Sequence, residues 1–139
     1  KNANTKASCE ALYRNPEIDI LAHPGLFFQV DIEETARACI KNDVLFEINC
    51  GHEHPDISDI IKAERIGVNF IIDSDAHFPA TVGDLSYGEY IINRLGIDPA
   101  RVVNLWDGGD ENDRPDKQSA CADYYRFIRR RKNSNHELS

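Results

Sequence analysis

The sequence predicts an α/β fold built on a parallel sheet, and three observations carry that prediction. Short apolar runs alternate with segments of helical periodicity. The runs are continuously apolar rather than alternating with polar residues, as in strands whose sheet is covered by helices. Helix-start and helix-stop residues mark the boundaries between them. Strands alternating with helices imply right-handed parallel crossovers, and hence an open sheet or a barrel.

The elements follow in order. Thr5 to Tyr13 reads as a helix, with Thr5 as its cap and Asn15-Pro16 as its stop. Ile18 to Ala22 is a short apolar strand. Asp31 and Glu34 match a capping box that opens a helix running to about Lys41. Val44 to Ile48 is the second strand. Asp56 caps the next helix, which carries Ile57, Ile60, Ile61 and Glu64 and stops at Gly67. Val68 to Ile72 is the third strand. Ser86 and Glu89 form a second capping box before Tyr90, Ile91, Ile92 and Leu95, with Gly96 as the stop. Val102 to Leu105 is the candidate fourth strand. About four parallel strands with flanking helices are too few for a closed eight-stranded barrel of ~250 residues. An arc of such a barrel leaves sheet edges that need another chain or a missing half. The expected organisation is a domain over residues 1–106, an acidic loop at 107–119, a terminal helix at 120–132 and a flexible tail at 133–139.

At 139 residues the chain is long enough for one domain with a sizeable core, and 41% apolar with 29% charged residues is a globular composition. The formal net charge of −8 argues against nucleic acid as a partner, because backbone phosphates require a basic surface. Apolar runs of about five residues fall far below the ~20 that a membrane-spanning helix needs. Cys9, Cys39, Cys50 and Cys121 are scattered without C-x-x-C spacing, which points to buried free thiols rather than a disulfide or zinc scaffold. With no charged-then-apolar leader visible, a reducing, cytoplasmic compartment is the expectation. The chain has no methionine and opens on Lys1, so a portion of a longer polypeptide is expected.

Chemistry-bearing residues collect where the strands end, the place at which ligands gather in parallel α/β folds. Asp19-Ile-Leu-Ala-His23-Pro24-Gly25 ends the first strand in an imidazole. Asn69-Phe-Ile-Ile-Asp73-Ser-Asp75-Ala-His77 ends the third in two carboxylates and another imidazole. On extended backbone, residues two apart share a side, so Asp75 and His77 are expected to project together. Imidazole and carboxylate suit zinc, manganese or iron. The plainer alternatives are a histidine hydrogen-bonded at a tight turn for His23, a loop cap for Asp75 and a packed ring for His77. Cys50-Gly-His52-Glu-His54 lies beyond the second strand, where His52 and His54 read either as phosphate or metal contacts or as an exposed loop. Glu47 in an apolar strand suits acid/base work or pairing with a buried donor. Tyr124 to Lys132 mixes aromatics with bases, most simply one buried helix face with solvated charges. Asp107 to Asp113 lacks the spacing of an EF-hand loop.

These segments occur in the order seen in the polymerase-and-histidinol-phosphatase (PHP) family. The matching runs are Asp19 to Gly25, Phe46-Glu-Ile-Asn49, Asp73 to His77, Ala80-Thr-Val-Gly-Asp84 and Ile97 to Asn104. Over about Ala7 to Asn104 the chain resembles the C-terminal half of a PHP domain, most of all the bacterial stand-alone phosphatases. The resemblance implies a partial (βα)7-type barrel, divalent metal ions (zinc, manganese or iron, three per complete site) and hydrolysis of phosphoester bonds in a phosphorylated small molecule by metal-activated water. It implies metal-ligand roles for His23, Asp75 and His77. The family's opening His-x-His motif, bridging glutamate and two further histidines precede the point where this chain starts. An incomplete, inactive site in the isolated chain is therefore expected. The alternatives are a PHP module of a DNA polymerase, and a non-catalytic remnant or partner-binding module with the same fold.

Overall fold

The computed structural model describes residues 1–105. Along them run α1 (Asn2–Arg14), β1 (Ile20–Leu21), α2 (Ile32–Lys41), β2 (Leu45–Asn49), α3 (Ile57–Ile66), β3 (Phe70–Asp73) and α4 (Ser86–Leu95). Two single 3₁₀ turns, Pro79–Thr81 and Pro99–Arg101, flank α4. The three strands form one parallel sheet in the order β1-β2-β3. This is the mixed α/β architecture that the alternation predicts. The expected loop at 107–119, helix at 120–132 and tail at 133–139 lie outside the described residues.

The sheet is held by its middle strand. All five residues of β2 are buried, as a strand flanked on both edges requires. Phe46 and Ile48 share a side with Phe70 and Ile72 of β3, and these four join Ala36, Cys39, Ile60, Ala63 and Ile91 from the helices in one apolar cluster. The Phe46 and Phe70 rings meet edge-to-face at 6.0 Å. Helix α4 approaches the sheet through Gly88, where a Cβ would lie 2.0 Å from Ile72 Cγ2. Only hydrogen fits there.

Several expected boundaries shift for identifiable reasons. Thr5 lies inside α1 and is buried; its hydroxyl donates to Lys1 O and accepts from the Asp31 backbone N–H at 2.8 Å, tying α1 to the start of α2. Asp31 caps α2 as expected, accepting from Glu34 N. Asp56 caps α3 in the same way, and Gly67 ends it in the left-handed region (φ 103°). The capping box at Ser86 does not form: Leu85 occupies the cap position, and Ser86 instead donates its hydroxyl to Asp84 at 2.6 Å.

The fourth strand is replaced by something more economical. Val102 makes an isolated parallel bridge to Phe70, and Val103 N donates to Phe70 O. Beyond it the Asn104 side chain takes over the pairing. Its amide N–H₂ donates to Ile72 O at 2.6 Å, and its Oδ1 accepts from Ile72 N at 3.1 Å. One carboxamide thus satisfies the donor and acceptor of a strand residue. Arg101 anchors the same segment, donating to Glu64 Oε1 at 2.7 Å and to the Val68 carbonyl at 2.7 Å.

Replacing Asn104 with Ala leaves two β3 backbone groups unmatched, and urea unfolding is expected to show a loss of about 1–3 kcal/mol. The caps predict a pH signature. Hydrogen bonds from Asp59 N and Ser58 hold the Asp56 carboxyl below its ordinary 3.8. Its contribution is therefore present above that value and is lost as pH falls through the lower folded-state pKa. In Asp56→Ala, the gap in melting temperature from wild type is expected to narrow as pH falls below about 4.

Candidate functional site

The site begins with a break in the hydrophobic pattern of β2. Glu47 and Asn49, two residues apart, share the side of the strand opposite Phe46 and Ile48. Both are buried, and polar groups so placed need partners. They find them in the loops that leave the three strands. Glu47 accepts a hydrogen bond from the backbone N–H of His23, just after β1. Asn49 uses its whole carboxamide. Nδ2 donates to Asp75 Oδ2 at 3.0 Å and to Glu47 Oε2 at 3.4 Å, while Oδ1 accepts from His52 N at 2.9 Å.

Asp75 and His77 do not stand on a strand. β3 ends at Asp73, and Asp75 turns back in the left-handed region (φ 42°), so side-to-side alternation does not govern them. The turn is stapled by Asp75 N donating to Asp73 Oδ1 at 3.1 Å and by His77 Nδ1 lying 2.7 Å from Asp75 O. His23 also has positive φ (29°). Two of the three expected ligands thus occupy sparsely populated backbone, a condition that surrounding structure must impose.

The structure brings His23, His52, Asp75 and His77 to one rim. The His52 ring centroid lies 6.1 Å from that of His23 and 6.4 Å from that of His77. His52 Nε2 lies 3.3 Å from Asp75 Oδ2. The Asn49 hydrogen bond, and then the imidazoles of His77, His52 and His23, hold the Asp75 carboxyl below its ordinary value. His54 turns elsewhere: its Nε2 lies 2.9 Å from Pro24 O, pinning the loop after His23, and its backbone pairs with Asn49.

Behind the rim, Asp73 behaves differently. Burial, followed by a hydrogen bond and charge repulsion with Glu47, pushes its carboxyl up to about 7. A neighbouring carboxylate and partial burial both disfavour a negative charge on Asp73. Neither Asp73 nor Asn49 is among the ligands or substrate contacts expected from the sequence. The clue was there in Glu47-x-Asn49, two polar residues at period two in a strand otherwise apolar.

Backbone crowding fixes the loops. A Cβ on Gly51 would sit 2.7 Å from Ser74 O and 3.3 Å from Asp75 Cβ, so the β2 and β3 loops touch through a missing side chain. Tyr87 of α4 donates its hydroxyl to Pro55 O at 2.6 Å, and Gly88 N donates to Cys50 Sγ at 3.3 Å. Cys9, Cys39 and Cys50 are free thiols, each raised in pKa chiefly by burial, Cys39 to about 12. Cys121 lies outside the described residues.

The rim offers donors of the kind that hold zinc, manganese or iron. They fit in type but not in number: among the described residues, no three His, Cys, Asp or Glu side chains converge on a point a metal ion would occupy. No helix among those residues is long and apolar enough to cross a membrane.

No family model matches the chain. It is similar to curated proteins named probable phosphatases. One from Thermoanaerobacter sp. (strain X514) is 33% identical over 110 residues, which is 73% of this chain and 44% of that protein. One from Shewanella halifaxensis (strain HAW-EB4) is 27% identical over 113 residues, 75% of this chain and 45% of the relative. One from Clostridium novyi (strain NT) is 27% identical over 99 residues, 65% and 41% respectively. The chain spans less than half the length of the curated relatives it matches.

Gly51→Ala is expected to separate the two loops, and overpacking of this type costs about 1–3 kcal/mol. The check is a thermal melt combined with the amide NMR shifts of Ser74 to His77. Perturbation confined to residue 51 and its sequence neighbours would contradict the contact.

Proposed function

We propose that this chain forms part of a metal-dependent phosphatase of the PHP family, acting on a phosphorylated small molecule. The observation that carries the reading is the convergence of His23, His52, Asp75 and His77 on one rim, from loops that follow three different parallel strands. Support comes from the relatives named probable phosphatases. On this reading the three-stranded sheet is an arc of a (βα)7-type barrel, extended by further strands beyond β1.

In that role His23, Asp75 and His77 supply metal ligands, and the remaining donors come from outside residues 1–105. A divalent cation held there would supply positive charge for the phosphoryl oxygens and would acidify a water for attack. The protein's own groups prepare the place. Asn49 orients Asp75 and keeps it ionised, Glu47 fixes the turn at His23, and His52 presents a ring to an incoming phosphoryl oxygen. His54 serves as a brace for the His23 loop rather than as a substrate contact.

A second reading, a non-catalytic module that retains the fold, is favoured by one observation: the described donors do not close around a single point. Metal content separates the two. In the whole protein, the PHP reading predicts more than one equivalent of bound divalent metal by elemental analysis. It predicts loss of both metal and p-nitrophenyl phosphate hydrolysis in His77→Ala. Asn49→Ala, which removes the hydrogen bond that orients Asp75 but leaves every ligand side chain in place, is expected to weaken metal affinity about 10–100-fold. The isolated chain is expected to show little hydrolysis. Absence of metal and activity in the whole protein would establish the non-catalytic alternative.

A further inference from the structure

Beside the imidazole rim stands an exposed aromatic ring. Phe27 is 74% exposed, among the most open of the described large apolar side chains. Its ring centroid lies 5.2 Å from that of His23 and 6.2 Å from that of His52, with interplanar angles of 88° and 79°. Phe78, next to His77, is 71% exposed. A benzyl side chain carries no polar atom and buries little here, so it adds nothing to the core and cannot itself ligate, donate or accept.

The loop that carries Phe27 is nevertheless held in place. Leu26 N donates to His23 O at 3.1 Å, closing the turn through Pro24 and Gly25. The His54 ring braces the same turn at Pro24 O. The turn before Phe27 is therefore held, and its ring stands edge-to-face against two imidazoles, so a ligand packing on it has less freedom to remove. The polar rim and the apolar ring then divide the work. The imidazole rim meets the charged end of a ligand, and Phe27 meets whatever lies beyond it.

We propose that Phe27 is a specificity-determining residue that selects phosphomonoesters whose leaving group carries a planar ring over those with a small aliphatic one. This rests on the phosphatase reading above. Flat apolar groups pack on an aromatic ring with a preference that small alkyl groups do not share.

The test uses the whole protein with added Mn²⁺ or Zn²⁺, following p-nitrophenyl phosphate hydrolysis. Two non-hydrolysable inhibitors, phenylphosphonate and methylphosphonate, separate binding from leaving-group chemistry. Wild type is expected to bind phenylphosphonate about three- to tenfold more tightly than methylphosphonate. Phe27→Ala is expected to bring that preference to within about twofold, with the inhibition constants of methylphosphonate and inorganic phosphate unchanged. Phe27→Trp should keep the preference, and serves as the second variant if the alanine protein folds poorly. An unchanged preference in a folded Phe27→Ala protein that still hydrolyses substrate would overturn the role of Phe27 alone. No hydrolysis and no inhibitor binding by wild type would remove the phosphatase reading, and this inference with it.

Discussion

The rim depends on a single buried carboxamide. Asn49 closes the central strand, where its neighbours on both edges have already spent their backbone hydrogen bonds on the sheet. Its backbone pairs with His54, and its side chain meets Asp75, Glu47 and the amide of His52. The loops after β2 and β3 are therefore registered against one planar group, and the loop after β1 is joined to it through Glu47, which accepts from both His23 N and Asn49 Nδ2. A buried amide with every hydrogen bond made is rigid and specific, and a half-satisfied one is costly. No buried side-chain nitrogen or oxygen among the described residues lacks a partner, so the arrangement meets that condition.

The electrostatic pattern follows from the same placement. Asp75 lies on the outer side of Asn49, among imidazoles, and stays ionised. Asp73 lies on the inner side, half-buried against Glu47, and retains its proton to about 7. Two aspartates separated by one serine are thus driven in opposite directions. Burial and a like charge act on one, while a donor and potential cations act on the other. Such divergence is common at functional sites, and it also arises in purely structural networks. Here the divergence coincides with positive φ at His23 and Asp75, so backbone and charge are both constrained at one rim.

How much of this was legible in the sequence depends on the range of the interaction. The helices were readable because caps and stops are local: Asp31, Asp56, Gly67 and Gly96 each act within one turn. The parallel order of the strands followed from alternation alone. The fourth strand was misread because Val102 to Leu105 has a strand's composition, while the pairing is performed by the Asn104 side chain, which periodicity cannot register. The capping box at Ser86 fails because Asp84, two residues earlier, takes the hydroxyl.

The candidate site shows the same division. His23, Asp75 and His77 were visible as residue types at strand ends, and they do share a rim with His52. Strand alternation does not position Asp75 and His77. Strand alternation requires extended backbone, whereas β3 stops at Asp73 and Asp75 reverses the chain. What brings His77 back is the contact of its ring with the Asp75 carbonyl, and what makes room for the turn is the absent side chain at Gly51. The first spans two residues of one loop and leaves no periodic signature, and the second joins segments that only the folded sheet places together. The position of the ligand-type residues was therefore a matter of composition, while their orientation belongs to the packing of the β2 and β3 loops. A mutation at Gly51 or Asn49 should on this account disturb the rim as surely as one at His77, though neither residue is a candidate metal ligand.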